Sequence, residues 1–151
     1  MLKLDPDKPA AEILWPARRT QTARMLSNTS MPVIAGDCVF SAKYSSGLVA
    51  LDANAGEELW TSDQVTDTGG GTSIHITPNG DSMLLYTNKG ELIRAQLTRA
   101  GYHELTRTKL LEPTFPFGGR NVTWSVPAYA NGAVFVRNHH ELLCASLKAE
   151  K

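Results

Sequence analysis

Short apolar segments that end in glycine-containing turns recur along this chain and constrain its fold more than any other feature. Three such turns are Gly36-Asp37, Asn79-Gly80 and Asn131-Gly132, and each lies between two runs rich in Val, Ile, Leu or Phe. Asn-Gly and related pairs readily adopt the positive φ values of tight hairpin turns. Helical periodicity is nearly absent, so the pattern predicts successive antiparallel strands.

These hairpins are parts of a larger repeat. The segments beginning at Ser30, Ser73 and Ser125 share one order of residues: a serine, an apolar run, a turn and a second apolar run. An interval of roughly 40 to 50 residues with four strands per unit is typical of β-propeller blades. We therefore predict an all-β fold, a partial β-propeller of about three to three and a half four-stranded blades.

The repeat divides the chain, taken as a single domain over 1–151, into blades and connections. The expected parts are the outer strands of a split blade (1–16), one blade (29–63), a second blade (72–112), an insertion loop (113–123) and three strands of another split blade (124–147).

An open arc of blades leaves two apolar faces exposed, because a blade buries its faces only against neighbouring blades. We therefore expect a homodimer in which the N-terminal strand of one chain completes the last blade of the other and closes the ring. A trimer and a fragment prone to misfolding are the alternatives.

Composition and charge limit the partners. The 15 Lys and Arg residues balance 15 Asp and Glu residues, so nothing electrostatic predicts nucleic acid or an anionic membrane as a partner. No apolar run reaches the roughly 18 to 20 residues that cross a bilayer, and we expect no membrane insertion. The N-terminal residues have no apolar signal segment and carry acids early, so the chain as it stands is expected to be cytoplasmic.

One motif identifies a family. The segment from Leu48 to Trp60 resembles the Ala-x-Asp-x-x-Thr-Gly-x-x-x-Trp signature of the quinoprotein-like (PQQ-like repeat) β-propeller family, with Asp52, Gly56 and Trp60 at the signature positions and Ala55 in place of Thr. The resemblance implies that Asp and Gly form the turn between two outer strands, and that the Trp packs between neighbouring blades.

The resemblance extends over nearly the whole chain. A diluted copy of the motif ends at Trp15, and Trp124 begins the third unit, so both are expected to pack between blades. As a whole, the chain resembles the C-terminal part of bacterial barrel-assembly-lipoprotein-like repeat proteins, which are often exported. Such proteins close a full ring, and the resemblance specifies fold better than function.

A quinone cofactor is not expected. In this family a quinone site implies an indole platform, a vicinal disulfide and calcium ligands, whereas Cys38 and Cys144 are far apart in the sequence and the tryptophans are assigned to blade packing. We expect neither PQQ nor calcium, no metal site and no catalytic residue; the sequence favours a non-catalytic module and leaves enzymatic activity open. His139-His140 is expected to be an exposed turn.

The insertion carries the residues best suited to binding. Phe115 and Phe117 offer aromatic anchors and Arg120 a guanidinium, the residue types enriched at interface hot spots. His75, within a predicted strand, is expected to face the channel or the core. The alternative for both phenylalanines is that they fill the gap between blades.

Two function classes follow from these residues. The first is a non-catalytic binding or scaffold module whose loops recognise a protein or peptide. The alternative is a remnant or subunit of a quinoprotein-like enzyme that binds a small ligand or metal in the central channel. Convergent carboxylates at the channel mouth would favour the alternative.

Overall fold

The computed structural model describes residues 1–15, 26–27, 29–44, 47–67, 69 and 71–148. Every regular element in these ranges is a β-strand, and every strand pairs antiparallel with its sequence neighbour. The prediction of an all-β, partial β-propeller is therefore confirmed. No helix in the described part of the chain is long and apolar enough to span a membrane.

The strands form five sheets in chain order. An N-terminal pair is followed by blade 1, blade 2, a hairpin and blade 3. The N-terminal pair consists of β1 (Leu2–Leu4) and β2 (Ala11–Ile13), and blade 1 consists of β3 (Val33–Ala35), β4 (Cys38–Lys43), β5 (Gly47–Asp52) and β6 (Glu58–Ser62). Blade 2 consists of β7 (Ile74–Asn79), β8 (Ser82–Thr87), β9 (Glu91–Thr98) and β10 (Gly101–Lys109). The hairpin consists of β11 (Phe115–Phe117) and β12 (Arg120–Val122), and blade 3 consists of β13 (Ala128–Ala130), β14 (Ala133–Arg137) and β15 (Leu142–Ser146).

The core lies between successive sheets. Blade 1 packs on blade 2 through fully buried side chains such as Phe40, Leu48 and Ile93. Blade 2 packs on blade 3 through a second cluster that includes Tyr86 and Val134. Because side chains alternate between the two faces of a strand, each central blade supplies apolar residues to both neighbours.

The outer faces of the described arc are apolar and exposed. In the N-terminal pair, Leu2 lies opposite Ile13 on one face, and both are more than half exposed. At the other end, Leu142 of blade 3 and the nearby Val126 are 72% exposed. Closure of these faces by a second copy of the chain stays a prediction.

Trp15 and Trp60 each link the end of one sheet to the sheet that follows it. Trp15, just after β2, donates its indole N–H to the carbonyl of Ala53 at 2.8 Å, and Trp60 of β6 donates to the carbonyl of Thr98 at 3.0 Å. Donor and acceptor residues are 38 positions apart in both bonds. Both carbonyls lie at the end of the third strand of the next blade, Ala53 directly after β5 and Thr98 as the last residue of β9. One contact is therefore repeated along the arc.

The turn after β5 explains the Asp and Gly of the motif. The carboxylate of Asp52 accepts the backbone N–H groups of Asn54 and Ala55 at 2.9 and 2.8 Å. The bond from Ala55 lowers the pKa of Asp52 most, and the Arg99 guanidinium and the bond from Asn54 lower it further. Gly56 has a φ of +71°, and a Cβ there would lie 2.4 Å from the Trp15 ring. Only glycine meets both requirements.

Candidate functional site

The segment between blades 2 and 3, expected to be an insertion loop, forms the hairpin β11–β12. Phe115 pairs with Val122 and Phe117 with Arg120, while Gly118 and Gly119 form the turn. Both glycines have positive φ, which a two-residue hairpin turn requires.

The hairpin brings two aromatic side chains, Phe115 and Phe117, onto Trp124. The Phe117 and Trp124 ring centroids are 4.8 Å apart in an edge-on contact, and those of Phe115 and Trp124 are 5.4 Å apart. Phe115 also contacts the ring of His139 at 5.7 Å. Such tilted pairs are favourable beyond the area they bury. The result is a continuous aromatic cluster from the hairpin to blade 3.

Trp124 differs in role from Trp15 and Trp60. Its indole N–H donates to the carbonyl of Gly71 at 2.9 Å, so it holds the hairpin against the loop that precedes blade 2. Gly71 has a φ of +82°, and a Cβ there would lie 2.5 Å from Phe117. The close approach of this loop therefore depends on glycine.

Arg120 lies on the side of the hairpin that faces the loop before blade 2. Its Nε is 3.4 Å from a carboxylate oxygen of Asp67, and an Nη donates to the carbonyl of Gly69 at 3.2 Å. These contacts tie the hairpin to the segment after blade 1. Arg120 therefore anchors the hairpin to this segment, and it does not line the cavity between the hairpin and blade 3.

A cavity of about 280 Å³ opens between the hairpin and blade 3. Of the residues singled out from the sequence, it brings together Phe115, Trp124 and His139. Its lining residues are Thr114, Phe115, Val122, Thr123, Trp124, Ser125, Arg137, Asn138 and His139.

Most polar side chains around the cavity are committed to the fold. The Thr114 hydroxyl accepts the backbone N–H of His139 at 3.1 Å, and the Thr123 hydroxyl donates to the carbonyl of Arg137 at 3.3 Å. The Asn138 side chain accepts two backbone N–H groups of its own loop and donates to the carbonyl of Glu112. These bonds fix the rim of the cavity.

Two of the lining residues, Arg137 and Ser125, have side chains with no hydrogen-bond or ionic partner among the described residues. Arg137 ends β14 and is exposed. Both groups can donate to a ligand, and Arg137 adds a positive charge. Arg137 is not predicted from the sequence, where its only signal is its place at the end of an apolar strand, directly before a polar turn.

His75 lies next to the backbone of Trp124, the centre of the aromatic cluster. Its ring is almost completely buried, and its Nε2 is 3.3 Å from the carbonyl oxygen of Trp124 and 3.4 Å from the hydroxyl of Ser73. Burial lowers the pKa of the imidazole below its ordinary 6.5. In the part of the chain that is described, no group of three or more His, Cys, Asp or Glu residues lies close enough to hold a metal ion.

His75 is expected to make the protein less stable in mild acid. Because its folded-state pKa is depressed, its stabilising contribution is present above about pH 6.5 and is lost as the pH falls through the folded-state value. The urea midpoint of the wild-type protein should therefore fall between about pH 7.5 and about pH 5.5, and that of His75→Asn should fall less. His103→Asn, at an exposed histidine of β10, should behave as the wild type. Equal pH dependence in all three proteins would contradict this role.

Comparison with known proteins places the chain among propellers. A family model described as outer membrane protein assembly factor BamB (PQQ_2) matches residues 10–100, more than half of the chain. No curated protein matches the chain.

The solved structures that are similar to it include the following two. The crystal structure of BamB from Moraxella catarrhalis aligns with 79% of this chain at 16% identity and a TM-score of 0.49. Quinohemoprotein alcohol dehydrogenase from Comamonas testosteroni aligns with 75% at 19% identity and a TM-score of 0.45. This chain spans only 32% and 17% of the lengths of these two proteins.

Proposed function

Since the chain belongs to the PQQ-like β-propeller family, whose model matches residues 10–100, we propose that it is a non-catalytic binding module. Its ligand is an exposed segment of a protein or a peptide. The binding site is the cavity between hairpin β11–β12 and blade 3, with Phe115 as its aromatic anchor.

The cavity itself is the observation that carries this proposal. Its volume of about 280 Å³ is slightly below the roughly 300–1,000 Å³ of small-molecule pockets. A space of this size suits one or two side chains of a peptide better than a whole cofactor. Its walls combine aromatic rings with a few polar groups, as binding hot spots do.

The site is also preorganised. Phe115 is held between the rings of Trp124 and His139, and Thr114 ties the start of the hairpin to His139 through its hydroxyl. A ligand would therefore meet side chains that are already ordered, which reduces the entropic cost of binding.

A small ligand or metal in the central channel is the alternative function. It would be favoured by carboxylates that converge there. The groups that contact His75 are instead a hydroxyl and a backbone carbonyl, those of Ser73 and Trp124. The geometry around His75 therefore supports a structural role better than a ligand site.

Phe115→Ala should weaken peptide binding at least tenfold, about 1.4 kcal/mol, because it removes the anchor of the site. Peptides selected from a displayed random library on the wild-type protein would be titrated by isothermal calorimetry against each variant. Leu105→Ala is the matched control, since Leu105 is 43% exposed and Phe115 41% exposed, and Leu105 does not line the cavity. Selected peptides that bind Phe115→Ala as tightly as the wild type would overturn the proposed function.

A further inference from the structure

The two cavity side chains that lack a partner among the described residues can both donate hydrogen bonds. The Arg137 guanidinium has only N–H donors and a fixed positive charge, and the Ser125 hydroxyl is free to donate. The carbonyl of Arg137 already accepts a hydrogen bond from the Thr123 hydroxyl, and the indole N–H of Trp124 already donates to the carbonyl of Gly71. A ligand that satisfies this site must therefore present acceptor atoms, and a negative charge would meet an unpaired positive one.

The apolar part of the cavity adds a second requirement. Phe115 is 41% exposed, and Trp124 has its polar atom turned away towards Gly71, so both contribute ring surface to the cavity wall. Val122 is buried beside them. An apolar or aromatic group of the ligand would bury this surface and gain from ring contacts.

We infer that the cavity recognises a carboxylate next to a large apolar side chain, an inference that rests on the proposed function. A planar carboxylate pairs with a guanidinium through two parallel hydrogen bonds, and a single arginine balances its single charge. The carboxylate has two sources in a peptide: the free C-terminus after an apolar last residue, or an internal Asp or Glu beside an apolar residue.

The test uses three N-acetylated tetrapeptides. The first is Gly-Gly-Leu-Phe with a free carboxylate, the second is the same peptide with a C-terminal amide, and the third is Gly-Asp-Phe-Gly amide, which has only an internal acid. Isothermal calorimetry and the shift of the Trp124 indole N–H signal in NMR spectra report binding.

We expect at least one of the two peptides with a carboxylate to bind at least tenfold more tightly than the second peptide, Gly-Gly-Leu-Phe amide. Arg137→Gln should abolish this preference, and Arg137→Lys should retain part of it, because lysine keeps the charge without the planar fork. Arg94→Gln is the matched control for net charge, since Arg94 lies on β9 and does not line the cavity. Raising the salt concentration should reduce the preference in the wild-type protein.

Several outcomes would overturn the inference. Equal affinity for acid and amide, binding of none of the three peptides, or an acid preference that persists in Arg137→Gln would each do so. The proposed function is judged separately: library peptides that depend on Phe115 but not on Arg137 would leave it standing while the carboxylate inference fails. Library peptides that ignore Phe115 would remove the proposed function itself.

Discussion

Replacing Gly90 with alanine is expected to lower the free energy of unfolding by about 3 kcal/mol. Gly90 has a φ of +75° in the turn between β8 and β9, and an added Cβ would lie 2.1 Å from the backbone carbonyl oxygen of Leu111. A backbone atom moves only with its segment, and that segment begins the connection to hairpin β11–β12. The carbonyl of Gly90 also accepts the N–H of Leu110 at 2.9 Å. Urea unfolding followed by circular dichroism measures the loss.

Gly80→Ala separates the two causes of this loss. Gly80 has a similar φ of +62°, but an added Cβ would meet no atom within 4 Å. It should therefore show only the cost of a left-handed alanine, about 1 to 2 kcal/mol. Equal destabilisation by the two substitutions would show that the approach of Leu111 contributes nothing.

Phe40→Ala is expected to lower the free energy of unfolding by about 4 kcal/mol. Phe40 is 1% exposed between blades 1 and 2, and its ring centroid lies 6.0 Å from that of Trp60. Truncation leaves a cavity at an interface that holds two sheets together, so contacts of both blades weaken at once. The measurement is again the urea-unfolding curve.

Ile34→Ala is the control for Phe40→Ala. Ile34 lies on the adjacent strand β3 and is 59% exposed, so its truncation should change stability by less than about 0.5 kcal/mol. If both variants lost the same free energy, the interface between blades 1 and 2 would not be the main source of stability at Phe40.

The strands of the blades were predictable where turn chemistry and apolar runs agree. The turns Gly36-Asp37 and Asn131-Gly132 lie where the sequence predicts them, whereas the turn predicted at Asn79-Gly80 lies at Gly80-Asp81, because Asn79 ends β7. All three include residues with positive φ, and Asn131 is the one described non-glycine residue with this geometry. Strands β4, β8 and β14 begin directly after these turns. Local backbone preferences therefore determined where these strands begin.

The hairpin β11–β12 was harder to predict. Gly118-Gly119 indicates a turn, but Pro116 lies in the middle of β11 and prolines are uncommon within strands. Only pairing with β12 and the aromatic contacts to Trp124 reveal the segment as a hairpin. Tertiary contacts of this kind leave no periodic signal in a single sequence.

The cavity could be predicted only in part. Residue type pointed to Phe115, because exposed aromatic residues in connecting segments are suited to binding. Arg137 and Ser125 are separated from it in the sequence and meet it only because the hairpin folds back over blade 3. Which of several arginines keeps an unpaired guanidinium depends on every neighbouring hydrogen bond, as the contacts of Arg120 with Asp67 and Gly69 illustrate.

The equal spacing of the two indole links has a consequence for how such chains lengthen. Trp15 and Trp60 each reach a backbone carbonyl 38 residues further on, so the bond requires a tryptophan on the outer strand but no particular side chain on the acceptor. A tandem duplication of the gene segment for one blade would therefore encode both the donor for the following unit and the acceptor for the preceding one. Acceptor positions would remain free to diverge in sequence while the tryptophans stayed under selection.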